Sequence, residues 1–141
     1  MTPNKAKGKR YEYEIRDYFR SIGYNECIIS SAESKNADSM GIDLLGLPYI
    51  IQCKNGYKSG LKYMDLLNSI LKRTKTSKFA GFPIYLFHKT NRRTEVTMFV
   101  SEYLRLTERK EVVVDAKTKY FCKNWDGTVS IDFDTFKLLI K

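Results

Sequence analysis

The sequence predicts an α/β fold in which helices pack on a mixed central β-sheet. Three observations carry this: an amphipathic helical stretch before the first apolar strands, a second one between two pairs of strands, and short apolar runs of strand length in between. The 141 residues, 43% of them apolar and 13% aromatic, suit one domain with a real hydrophobic core. Tyr11, Ile15, Tyr18, Phe19 and Ile22 recur at helical spacing, so the first helix is expected over about residues 9 to 22, ended by Gly23. A short strand over Glu26–Ser31 and a polar, exposed loop over Ala32–Met40 follow. Ile42–Leu47 and Pro48–Cys53 read as two strands reversing near Gly46 and Pro48.

A second helix is expected over about residues 62 to 78, with Tyr63, Leu66, Leu67, Ile70 and Leu71 as its apolar face and Lys72, Arg73, Lys75 and Lys78 opposite. Pro83–His88 and Val96–Val100 are the next strands, joined by the basic turn Lys89–Arg93. The tail adds a short helix near Ser101–Leu106, a hairpin turned at Asp126 and Gly127, and a final helical turn. Phe79, Phe82 and the apolar strand Ile84–Phe87 can close the monomer core.

The net charge of +9 is unevenly placed. Between Lys54 and Arg93 stand ten Lys/Arg against the single acid Asp65, and residues 1 to 11 carry four basic residues with no acid. Concentrated positive charge attracts a polyanion by releasing its counterions, so nucleic acid is the expected partner. Lys7, Lys9, Arg10, Lys58, Lys62, Arg73 and Lys75 are the candidate phosphate contacts, and Tyr57, in the loop NGYKSG, is a candidate base contact. Tyr11, Tyr18 and Tyr63 lie on helix faces that need a core, so packing is expected of them. No run of 18 apolar residues or signal-peptide pattern occurs, so a cytoplasmic chain with no membrane span is expected. Cys27, Cys53 and Cys122 fit neither a disulfide framework nor a zinc pattern. The lone His88, in an apolar strand, fits a core position better than a catalytic triad, and no phosphate-cradling GxxxxGK[ST] string is present.

Chemistry concentrates where the two central strands meet. Asp43 opens one strand, while Gln52 and Lys54, two residues apart, share a face of the next. A reversal near Gly46 brings the three side chains towards one another. A carboxylate and a lysine on apolar strands are costly unless paired with each other or put to use.

The string GIDLLGLPYIIQCK resembles the motif of PD-(D/E)xK nucleases, with Asp43 in the place of the leading acid and Gln52, Cys53 and Lys54 in the place of (D/E)xK. KGKRYEYE at Lys7–Glu14 is similar to the amino-terminal KGxxxERE of archaeal Holliday-junction resolvases, and KFAGFPIYLFHK at Lys78–Lys89 is similar to their helix-to-strand segment. The matches span about residues 7 to 105 in order; residues 106 to 141 are an unassigned extension. The resemblance implies a restriction-endonuclease-like core and Mg²⁺-dependent cleavage of DNA, with Mn²⁺ as substitute. It further implies a branched or four-way-junction substrate and a homodimer with its interface around Phe79, Phe82 and Ile84–Phe87, the alternative for these residues being the closing of the monomer core. A nicking or linear-duplex nuclease, or a DNA-binding module without cleavage, are the alternatives.

Carried over residue by residue, the resemblance assigns Asp43, the Gln52 side-chain oxygen and the Cys53 carbonyl to the metal, and Lys54 to the attacking water or the developing negative charge. Glu12 is the helix-one acid, with Glu14 in reserve because periodicity does not separate them. Ser30 or Ser31 falls near a position that contacts the scissile phosphate, and Glu33 and Asp38 are expected to be solvated acids. The chain departs from the pattern at Gln52, which can offer a hard oxygen but removes one negative charge, so weaker Mg²⁺ binding is implied.

Overall fold

The computed structural model describes residues 3–56, 62–90, 93–108, 121–123 and 126–140, with the side chains of 3–7, 32–33 and 121–123 outside the described set. Helix α1 (Pro3–Ser21) starts earlier than its apolar stripe, which buries Tyr11, Ile15 and Phe19. Its end is dictated by Gly23 at φ 114°, a conformation that glycine adopts without steric cost. The Tyr24 N–H then reaches back to the Phe19 carbonyl at 3.1 Å and the Gly23 N–H to that of Arg20 at 3.2 Å. The Tyr24 ring closes this stop by packing edge-on against Phe19, with 6.2 Å between ring centroids.

Next come β1 (Ile28–Ile29), α2 (Ser30–Glu33), α3 (Lys35–Ser39), β2 (Leu44–Leu45) and β3 (Ile50–Asn55). Two expectations are corrected here. The stretch 32–40 is not an exposed loop: the Ser34 hydroxyl accepts from the Ala37 N–H at 3.2 Å, starting α3, and Ala37 and Met40 are buried. The segment Ile42–Leu47 forms only the two-residue β2, which pairs antiparallel with β1 rather than making a full hairpin with β3. The reversal at Gly46 stands, since at φ 84° a Cβ there would lie 2.3 Å from the Glu26 carbonyl oxygen.

Beyond β3 run α4 (Tyr63–Thr74), β4 (Ile84–Lys89), β5 (Thr94–Phe99), α5 (Val100–Glu108), β6 (Phe121–Lys123), β7 (Thr128–Asp132) and α6 (Phe133–Ile140). They complete a mixed five-stranded sheet ordered β3-β4-β5-β7-β6, in which only β3 and β4 run parallel. The parallel pair needs a crossover, and α4 supplies it.

Alternation along the strands divides the core between the two sheet faces. Ile51, Tyr85, Phe87, Val96 and Met98 face α1 and α6, whereas Ile50, Ile84 and Leu86 face α4 with Leu67 and Ile70. The strand Ile84–Phe87 is therefore spent on the monomer core and is not an open subunit interface; Phe79 and Phe82 pack against the α4-side cluster. The hairpin at Asp126 and Gly127 forms as expected, and β7 and α6 add Val129, Ile131, Phe136 and Leu139 to the α1-side core. Among the described residues no helix is long and apolar enough to cross a membrane.

Candidate active site

Strand β3 is an edge of the five-stranded sheet, and the chain around Asp43 lies along its open side. The Asp43 N–H donates to the Ile51 carbonyl at 2.8 Å, and Asp43 Oδ2 accepts from the Cys53 N–H at 2.7 Å. In a strand, the N–H and C=O of one residue point the same way, so the Cys53 carbonyl also faces the Asp43 side, where a hard cation would meet it. Ser30 fixes the other flank. Its N–H donates to the Asp43 carbonyl at 2.9 Å and its buried hydroxyl to the Ile42 carbonyl.

Burial is the first cause of the electrostatics at Asp43 and pushes its carboxyl up to about 7. The Cys53 N–H and the Lys54 charge oppose that shift, while Glu12 and Asp38 reinforce it. Glu12 on α1 is raised as well, by burial first and by Asp38, with Lys9 opposing. Two carboxylates held in this way favour either a proton or a cation in their neighbourhood.

Gln52 adds an acceptor. Its Oε1 is buried and has no hydrogen-bond partner. Its Nε2 lies towards Gly41, where a Cβ would come within 3.3 Å of it. Leaving a buried amide oxygen unsatisfied costs about 1–3 kcal/mol, a cost that coordination to a hard cation would remove. Lys54, on the same face of β3 two residues on, is exposed.

No family model, curated protein or solved structure matches the chain. The site therefore stands on its own geometry.

Among the described residues no three His, Cys, Asp or Glu side chains gather as a metal-binding group. The oxygens that could hold a hard cation are of a different composition: the carboxylates of Asp43 and Glu12, the Gln52 amide oxygen and the Cys53 carbonyl. All four are oxygen donors, the type that suits Mg²⁺, and the unpartnered Gln52 oxygen fits the group.

The structure distinguishes the two helix-one acids. Glu12 acts electrostatically on Asp43, whereas Glu14 pairs with Lys89 at 3.3 Å. The serines part in the same way: Ser30 is fully buried and its hydroxyl is committed to the backbone, so it is not a phosphate contact, while exposed Ser31 accepts from Lys9 Nζ. Lys9 thus sits beside both Ser31 and Glu12. Arg10, Lys62, Arg73 and Lys75 are exposed, and Arg73 also reaches the Ser39 carbonyl at 3.4 Å. Tyr57, Lys58 and the Lys7 side chain lie outside the described residues.

Two contributors escaped the sequence reading. Asp38, taken for a solvated acid, is exposed but stands close enough to raise both Glu12 and Asp43. The signal for its placement was the capping Ser34 ahead of the apolar Ala37 and Met40. His88 is the core residue expected, yet it also ties the two elements flanking the site. Its Nδ1 meets the Tyr63 hydroxyl at 3.1 Å and its Nε2 meets the Gly56 carbonyl at 2.8 Å, so it links the end of β3 to the start of α4.

Proposed function

We propose that this chain is a metal-dependent DNA endonuclease of the PD-(D/E)xK kind, acting on branched DNA as a homodimer. The observation that carries the reading is the buried, unpartnered Gln52 oxygen, one residue before the Cys53 N–H that bonds the raised carboxyl of Asp43 and two before an exposed lysine. The order helix, three strands, helix, parallel strand supports a restriction-endonuclease-like core, since it delivers these residues to an open sheet edge that duplex DNA can approach.

In this reading Asp43, Gln52, the Cys53 carbonyl and Glu12 hold one Mg²⁺. The ion supplies Lewis-acid stabilisation of the phosphate and lowers the pKa of water. Lys54 places its ammonium group where negative charge grows as the water oxygen bonds to phosphorus and the bond to the leaving deoxyribose oxygen breaks. The water loses a proton to solvent and the leaving oxygen gains one. Symmetric cutting of a four-way junction needs two such sites related by a two-fold axis, which a dimer provides.

The test is an assay on labelled four-way junction, linear duplex and single strand, with Mg²⁺ and with EDTA, for the parent and for Lys54→Ala. The parent is expected to cut the junction only with the metal. Lys54→Ala is expected to lose at least about 100-fold in cleavage while binding DNA within several-fold of the parent, because the basic surface supplies most of the affinity. A parent that binds all three substrates and cuts none with Mg²⁺ or Mn²⁺ is a binding module, and the nuclease reading fails.

A further inference from the structure

On the opposite face of β3 from Lys54 lies a separate cleft of about 400 Å³, lined by Arg10, Tyr11, Glu14, Asn55 and Lys89. It opens at the carboxyl ends of the only parallel pair, where Asn55 and Lys89 are partners across β3 and β4 and the Gly56 N–H donates to the Lys89 carbonyl at 2.9 Å. Carboxyl ends of parallel strands are where α/β folds bind ligands.

The lining carries two basic side chains, Arg10 and Lys89, against the single carboxylate of Glu14. Lys89 Nζ stands 5.6 Å from the Tyr11 ring centroid and 3.3 and 3.4 Å from the two Glu14 oxygens. The Glu14 carboxylate thus occupies, in the free protein, the position that a phosphate oxygen would take. This pair is half-exposed on both sides, so its contribution is small and a doubly hydrogen-bonded phosphate can displace the carboxylate. Arg10 and Asn55 also line the cleft.

We infer that this cleft is a second phosphate subsite, in which Lys89, Arg10 and Asn55 hold a backbone phosphate of the polynucleotide next to the one at Lys54. The inference rests on the nuclease reading. Consecutive strand residues point to opposite faces and their Cα atoms are about 3.8 Å apart. A nucleic-acid backbone crossing the end of β3 therefore meets Lys54 on one side and the Asn55 cleft on the other. None of the residues that line the cleft is among the proposed metal ligands, so the subsite positions the strand without touching them. Glu14 gates it by competing for Lys89.

The test uses anisotropy of labelled duplex and junction DNA in EDTA, titrated with salt, for the parent, Lys89→Ala, Glu14→Gln and the distant Lys137→Ala. Lys89→Ala is expected to bind about fivefold more weakly at low salt. Its salt slope should fall by about 0.9, so that between about 50 and 200 mM salt the parent loses about 3.5-fold more affinity than the variant. Glu14→Gln is expected to bind more tightly than the parent, an effect that partial unfolding does not produce, and Lys137→Ala to match the parent. A parent that binds DNA while Lys89→Ala and Glu14→Gln both match it overturns the subsite alone. A parent that binds no DNA overturns the nuclease reading as well. Competition by inorganic phosphate beyond that of sulfate at equal ionic strength would reassign the cleft to free phosphate and overturn the polynucleotide occupant.

Discussion

Replacing Asp43 by asparagine tests the electrostatics of the site without any DNA. The folded carboxyl titrates at about 7 against an ordinary 3.8, and burial is the largest cause. Between those values the folded protein holds a proton that the unfolded chain has released, so stability falls as the pH rises through this window. The full effect, worked at 1.36 kcal/mol per pH unit, is about 4 kcal/mol of destabilisation above about pH 7 and none below about pH 4. Asp43→Asn removes the charge but keeps an oxygen to accept the 2.7 Å bond from the Cys53 N–H. In EDTA at about pH 8 the variant should therefore be more stable than the parent by up to about 4 kcal/mol, moving the urea midpoint upward by about 2 M for a slope of about 2 kcal/mol per molar. At about pH 4 the two curves should coincide. Added Mg²⁺ should stabilise the parent at the higher pH, by about 1.4 kcal/mol at tenfold excess over its Kd, and leave the variant almost unchanged. Circular dichroism across the pH series reads all of this. A variant less stable than the parent at about pH 8 in EDTA, or a parent with no decline in stability from about pH 4 to 8, refutes the desolvated carboxyl.

Gln52→Glu restores an anionic ligand where the buried amide oxygen now lacks a partner. It should lower the Mg²⁺ concentration for half-maximal cleavage about tenfold, yet destabilise the metal-free protein at neutral pH by adding a third carboxylate near Asp43 and Glu12; a folded variant that needs more metal contradicts the ligand role. His88→Phe removes the bonds to the Tyr63 hydroxyl and the Gly56 carbonyl. The expected cost is about 2–4 kcal/mol, seen as a fall in Tm of about 5–10 °C, and an unchanged Tm would show that the imidazole does not fasten β3 to α4.

Long elements were legible because their periodicity records which face is buried. The spacing of Tyr11, Ile15 and Phe19 located α1, Gly23 located its end, and Asp126–Gly127 located the last turn. Two-residue strands carry no periodicity, so the pairing of Ile28–Ile29 with Leu44–Leu45 was hidden. The short helices between them were hidden too, because polar composition masked a capping serine and the buried side chains of Ser30, Ala37 and Met40. The site divides along the same line. Gln52 and Lys54 share a strand, and their common face follows from alternation alone. Whether Glu12 or Glu14 serves Asp43 depends on how α1 lies across β3, which helical spacing on either side of Tyr11 does not encode. The tertiary packing gives each acid a different neighbour: Glu12 helps raise the Asp43 carboxyl, and Glu14 is drawn to Lys89. In the proposed readings one helix serves both faces of the β3 end, with one acid for a cation beside Asp43 and the other holding a lysine for a phosphate beside Asn55. Exchanging the two acids' roles would require α1 to rotate about its axis, and the buried Tyr11, Ile15 and Phe19 oppose that rotation.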